Sequence, residues 1–412
     1  MPSDASYLIV GASLAGAKAA ETLRAQGCDG QVTMIGAETE LPYERPPLSK
    51  EYLQGKAERK TIYVHPREWY DEAGITLRLG LRVAGIARDE HVVVLEDGER
   101  ASYSRLLLTN GSSPRPLPVP GAELDGVHYL RTVGDSDRIR AAISDSSRVA
   151  VIGAGWIGLE CAAAARLAGD EVTIVEAAEL PLLRVLGPEV ARVFADLHRD
   201  HGADLRFGAE VAEITGSDGR ANGVRLADGS RIGADAIIVG IGITPNTGLA
   251  EAAGLDVGNG VRTDAQLRSS DPDIFAAGDV AAAFHPLYGK HIRVEHWANA
   301  LNQPQTAAKT MLGQDISYDR IPYFYSDQYD LGMEYSGYVE PGGYDQVVFR
   351  GDVGRREFIA FWIGSGGQVL AGMNVNVWDV NDKVQQLVRS QKPVSLAALR
   401  DPDTPLESLT AS

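Results

Sequence analysis

An α/β chain is predicted, with two similar parallel-sheet domains followed by a smaller α+β domain. Three observations predict it. A strand, glycine turn, helix and strand occur in that order twice, at Tyr7 to Ile35 and at Val149 to Glu176. Each copy is followed by the same tail of short strands around an Asp-Gly turn, Asp97-Gly98 and Asp228-Gly229. From about residue 322 the glycine pattern stops and short strands rich in aromatic residues take over.

In the first copy, Tyr7 to Val10 reads as a buried strand, and Gly11, Ser13 and Gly16 fall where a G-x-G-x-x-G fingerprint places its glycines. A helix is predicted over Leu14 to Gln26 and a second strand over Val32 to Ile35. Small residues suit this turn because a dinucleotide pyrophosphate lies against backbone N–H groups at a helix N-terminus. Ala15 belongs to that contact set, and Glu38, just past the second strand, is placed to accept hydrogen bonds from an adenosine ribose. Serine replaces the second glycine, and its small size predicts a tight site.

The second copy is intact, with Gly153, Gly155 and Gly158, and with Trp156 and Ile157 inside the same turn. Glu176 ends the following strand, where a carboxylate binds the ribose 2′-hydroxyl and repels a 2′-phosphate. No arginine follows it immediately, so NADH is expected over NADPH. The two copies make two Rossmann-like dinucleotide-binding domains plus a C-terminal α+β domain. The expected boundaries are 1–112 with 245–321 for the first, 113–244 for the second and 322–412 for the third. The proline-rich stretch Ser112 to Gly121 has the composition of the crossover.

Between Glu38 and Lys56 lies an insertion, with an extended turn at Pro46-Pro47 and a helix start predicted over Leu48 to Gln54. Trp69 and Tyr70 read as packing residues, Ile274 to Ala277 as a short buried strand ending on Gly278-Asp279, and Asp379 to Arg389 as a helix.

The 412 residues allow about two to four domains with cores of their own. The formal net charge of −17 argues against nucleic acid and anionic membrane as partners. No apolar run reaches the length of a membrane span, and the opening MPSDAS has no basic or apolar leader, so a cytoplasmic protein is expected. The two cysteines, Cys28 and Cys161, are far apart, which argues against a disulfide framework or a cysteine-ligated metal; no metal site is expected.

With these pieces in view, the chain resembles the FAD-dependent NADH–ferredoxin reductases of oxygenase systems, on the glutathione reductase fold. The resemblance rests on PYERPPLSK (42–50), GAGWIGLE (153–160), GIGITPN (240–246), IFAAGDVA (274–281), EHWANA (295–300) and PYFYSDQYDLGMEYSGY (322–338). It implies that the first copy binds FAD and the second NADH. Asp279 would bond the flavin ribityl chain, Arg45 and Arg131 would neutralise the FAD pyrophosphate, and Trp297 would lie at the pyrimidine edge. Val83 joins the FAD contacts and Gly242 the NAD contacts. The chain departs from the family pattern at Thr109-Asn110-Gly111, where Ala-Thr-Gly is usual, and at Tyr325, often tryptophan.

Glu160 is a single carboxylate in an otherwise apolar helix, and the resemblance pairs it with Lys50 beside flavin N5, as flavin-tuning groups. No cysteine lies in PPLSKEYLQGK, so electrons are expected to leave the flavin directly. The implied activity is FAD-dependent NADH:ferredoxin oxidoreduction: hydride from NADH to FAD, then single electrons to a [2Fe–2S] ferredoxin serving a cytochrome P450 or Rieske-type oxygenase. Alternatives are a rubredoxin reductase, an NADH oxidase or quinone reductase, and a signalling flavoprotein like apoptosis-inducing factor. A monomer or weak homodimer is expected, with Lys290 to Lys309, including Arg293, as part of the ferredoxin patch.

Overall fold

The structure is a computed structural model that describes residues 5–145 and 147–410. The chain divides into two compact units. The first comprises Met1–Glu44, Arg59–Ser113 and Thr244–Pro322; the second comprises Arg45–Glu58, Pro114–Ile243 and Tyr323–Ser412.

The first unit is built on a parallel five-stranded sheet. Its strands lie in the order Ile274–Ala276, Arg105–Leu108, Ser6–Val10, Gln31–Gly36, Ile75–Leu79. Every interior position of Ser6–Val10 is buried, as a strand covered on both faces requires. The helix Leu14–Ala25 presents Ala17, Ala20 and Leu23 to a core shared with Ala307, Ala308 and Met311 of the helix Trp297–Met311. Alanines on both helices allow that close approach. Tyr70 is fully buried there with Trp69 edge-on to it.

The second unit repeats the plan. Its parallel sheet runs Asp204–Phe207, Glu171–Glu176, Arg148–Ile152, Ala236–Val239, Val127–Tyr129. The aromatic-rich tail forms an antiparallel five-stranded sheet, ordered Tyr323–Gln328, Leu331–Gly337, Val369–Val375, Glu357–Ile363, Gln346–Asp352. One core joins the two: Leu159 and Ala162 of the helix Trp156–Ala168 pack in the same cluster as Phe324, Met373 and Trp362. Among the described residues no helix is long and apolar enough to cross a membrane.

Two local expectations are corrected. No α-helix forms over Leu48 to Gln54; the chain makes a short 3-10 turn, Pro46–Ser49, and then irregular turns. Prolines suit a first turn, but the Lys50 and Tyr52 N–H groups both bond the Pro47 carbonyl, and Lys50, at φ −120° and ψ −119°, leaves the helical region. The last long helix is Asn381–Ser390 and excludes Asp379, whose φ of +61° lies in the left-handed region.

Candidate functional site

In the first unit the fingerprint turn is closed by backbone. Gly11 has φ +122°, and a Cβ there would stand 2.3 Å from the Thr109 carbonyl oxygen. A Cβ on Gly16 would meet the Gly11 carbonyl at 2.1 Å. Only glycine fits either position. Ser13 is the N-cap of the helix Leu14–Ala25, yet its side chain makes no capping bond, so it leaves the first-turn N–H donors for another acceptor. Gly278, φ +79°, sits against Ala15 of the same helix start and donates its N–H to Gln303 at 2.9 Å.

Asp279 follows and accepts a hydrogen bond from Ser112 Oγ at 2.9 Å. Glu38 accepts from the Tyr43 hydroxyl, and Trp297, the first residue of its helix, donates through Nε1 to Glu44 at 3.2 Å. Val83 is buried in the cluster of Val10 and Ile35. Asn110 and Asn246 are clasped by reciprocal amide bonds to each other's carbonyls, 2.7 and 2.8 Å. Asn110 Oδ1 is buried with no partner. A closed glycine turn, an uncapped helix start and an orphaned buried acceptor fit a bound dinucleotide that brings both an anion and donors.

The second fingerprint has the same build. Gly153 has φ +96°, and its Cβ would meet the Gly240 carbonyl at 2.5 Å. On Gly158 a Cβ would lie 2.0 Å from the Gly153 carbonyl. Gly155 is the N-cap of the helix Trp156–Ala168 and has no side chain to cap it, and Gly242 (φ +105°) faces open space. Ile157 is exposed, whereas Trp156 packs edge-on against Phe194 and Phe324. The Glu176 carboxylate accepts the Ala154 N–H at 2.8 Å and the Ala178 N–H at 2.9 Å. The main chain thereby aims it at the turn and fixes it as an acceptor, which fits a ribose hydroxyl.

Arg45 and Arg131 are brought together, both in the second unit: the Arg45 guanidinium donates to the Arg131 main-chain carbonyl. Lys50 and Glu160 meet in the same unit. Lys50 Nζ lies 2.8 Å from Glu160 Oε2, with side chains 9% and 3% exposed. The Ser49 hydroxyl donates to the same oxygen, and Ser326 Oγ donates to Oε1 at 2.7 Å. A buried ion pair persists only with its remaining lone pairs satisfied, and these two serines do that. The Lys50 ammonium also stands 5.4 Å from the centre of the Tyr325 ring.

Four functional candidates, Ser49, Ser326, Gln328 and His198, were not expected from the sequence. Ser326 and Gln328 alternate along Tyr323–Gln328 and so share its buried face, a period-two signal present within SDQYD. His198 carried no such signal. One expectation fails: Arg293 does not present a docking charge. Its side chain is 9% exposed and pairs with Glu295 at 2.7 Å.

Burial holds the His198 imidazole down to about 4, with the neighbouring His201 acting in the same direction. Unfolded histidine titrates near 6.5, so the unfolded chain binds the extra proton between those values, and stability is full above that window and falls as pH drops through it. The expected loss is at most about 3 kcal/mol. A thermal-midpoint series from pH 7 to 4 should show the drop, and His198→Gln should flatten it.

Two glycine-closed turns, each following the central strand of a parallel sheet and opening on an uncapped helix, place the chain in the doubly Rossmann-like α/β class. A family model described as pyridine nucleotide-disulphide oxidoreductase matches residues 5–304, and one described as reductase C-terminal matches 323–410. The chain belongs to the pyridine nucleotide-disulphide oxidoreductase family. It is 40% identical, over 98% of both chains, to the ferredoxin–NAD(+) reductase component of the anthranilate 1,2-dioxygenase system of Burkholderia cepacia. To putidaredoxin reductase of Pseudomonas putida it is 37% identical, across 100% of this chain and 98% of that one. The crystal structure of the covalent putidaredoxin reductase–putidaredoxin complex superposes with a TM-score of 0.95 at 37% identity, covering 99% of this chain and 98% of that one. The disulphide of the family's description has no counterpart here: Cys28 and Cys161 are free and buried, and burial pushes the Cys161 thiol up, away from the reactive thiolate.

Proposed function

We propose that this chain is an NADH-dependent flavoprotein ferredoxin reductase, delivering single electrons to a [2Fe–2S] ferredoxin that serves a cytochrome P450 or Rieske-type oxygenase. The observation that carries the reading is its full-length likeness to reductases named for such systems, joined to two buried cysteines that offer no dithiol relay. FAD supplies hydride acceptance and one-electron release when bound.

In this reading the chain's residues bind, orient and tune. Gly11, Ser13, Ala15 and Gly16 receive the FAD pyrophosphate, with Arg45 and Arg131 adding positive charge. Glu38 holds the adenosine ribose, Val83 and Trp297 give apolar contact, and Asp279, steadied by Ser112, accepts from the ribityl chain. Gly153, Gly155, Trp156, Ile157, Gly158 and Gly242 receive the nicotinamide dinucleotide. Lys50, held by Glu160, provides a fixed positive charge that favours the reduced flavin. The protein acts in the cytoplasm as a monomer or weak homodimer.

Two experiments test this. Glu176→Ala should lower the NADH over NADPH ratio of kcat/KM about tenfold or more, the value of a lost charged hydrogen bond; an unmoved ratio removes Glu176 from the ribose site. Cytochrome c reduction by NADH should depend on added [2Fe–2S] ferredoxin. Equal rates without it contradict the ferredoxin assignment.

A further inference from the structure

The buried Lys50–Glu160 pair is the end of a longer chain of hydrogen bonds. Ser326 Oγ donates to Glu160 Oε1 at 2.7 Å, and Gln328 Nε2 donates to Ser326 Oγ at 3.1 Å. Gln328 Oε1 lies 2.9 Å from His198 Nε2, and His198 Nδ1 lies 3.2 Å from the Tyr329 hydroxyl. Tyr329 stacks on His201 with ring centres 3.9 Å apart, and His201 Nε2 lies 3.4 Å from the exposed Asp330. Glu160, Ser326, Gln328 and His198 are all buried, at 3% exposure or less.

The direction of every bond follows from the first. A carboxylate only accepts, and among the described residues Oε1 has one donor within reach, the Ser326 hydroxyl. A serine that has given its only proton can then only accept, so the Gln328 amide must turn its NH2 toward Ser326 and its carbonyl toward His198. That carbonyl needs an N–H on His198 Nε2, which leaves Nδ1 bare in a neutral ring, and Tyr329 must donate to it. Burial keeps the ring neutral, with His201 also opposing its charge, and keeps the proton on Tyr329, where Arg166 is the charged neighbour. Were Gln328 reversed, its carbonyl would compete with Glu160 for the serine proton.

We propose that Ser326, Gln328, His198 and Tyr329 are positioning residues that form a polarity lock: the His198 tautomer fixes the Gln328 amide, which fixes the Ser326 hydroxyl on Glu160 and so holds Glu160 as the counter-ion of Lys50. The functional half of this proposal rests on the reading of Lys50 and Glu160 given above. Gln328 makes the chain a lock and not a proton wire, since an amide does not readily pass a proton from its carbonyl to its NH2. Aligned dipoles along the chain reinforce one another in the low-dielectric interior.

The test is the His198 tautomer, read by long-range 1H–15N correlation on 15N-histidine holoprotein, which has only eight histidines to assign. The expected state is Nε2-protonated at pH 7 by at least about tenfold. Ser326→Ala and, as a separate variant, Gln328→Met should reduce that preference about five- to tenfold, the worth of one hydrogen bond. Ser326→Thr should restore both the tautomer and the rate of flavin reduction by NADH that Ser326→Ala loses. An Nδ1-protonated ring in the native protein overturns the proposal, as does a tautomer preference that neither variant moves. If Lys50→Ala leaves flavin reduction unchanged, the reading of the ion pair fails while the tautomer result still decides the lock.

Discussion

Lys50→Met is expected to slow flavin reduction by NADH at least tenfold while FAD stays bound, and to destabilise the second unit by about 3–5 kcal/mol. The size of the second effect follows from burial. Glu160 is 3% exposed, and without the ammonium its charge keeps only the Ser49 and Ser326 hydroxyls. Removing one member of such a pair leaves an uncompensated charge, whereas removing both leaves an apolar site. Lys50→Met with Glu160→Met should therefore recover most of the stability, but not the reduction rate. Urea midpoints and stopped-flow reduction of the two single variants and the double variant separate the roles. Equal stability loss in single and double variants would show that packing, not charge, governs the site.

Gly158→Ala is expected to weaken NADH binding about a hundredfold and to cost about 3 kcal/mol, with FAD content unchanged. The added methyl would lie 2.0 Å from the Gly153 carbonyl oxygen, and neither partner is a flexible side chain. The helix Trp156–Ala168 would have to back away from the strand Arg148–Ile152, carrying the first-turn N–H groups with it. Titration of NADH into the oxidised protein measures the first effect. An unchanged Kd would mean that the pyrophosphate does not rest on this turn.

The fold was legible because its repeating units combine short-range signals that agree with one another. Each apolar strand runs straight into a turn whose glycines have no room for a side chain, so sequence spacing and steric need coincide at Gly11, Gly16, Gly153 and Gly158. Leu48 to Gln54 misled because a proline pair suits the first turn of a helix without sustaining the next, and Lys50 leaves the helical region at φ −120° and ψ −119°. Glu160 was legible as a carboxylate in an apolar helix. Its partner Ser326, and Gln328 behind that serine, come from more than a hundred and fifty positions away in sequence, and nothing local reports that two neutral residues complete a charged site. His198 looks like any histidine on an amphipathic helix until its partners are known. Arg293 shows the opposite failure: a basic residue counts as surface charge in a sequence, yet this one is folded in against Glu295.

Electron delivery to a ferredoxin is open to one direct measurement. The purified yellow protein is titrated anaerobically with NADH and then mixed with a [2Fe–2S] ferredoxin and cytochrome c. Flavin bleaching at one NADH per flavin, followed by cytochrome c reduction that appears only with the ferredoxin, is the predicted result. Bleaching reversed by oxygen or quinone, with no electron reaching any ferredoxin offered, would contradict it and make the protein an oxidase on the same fold.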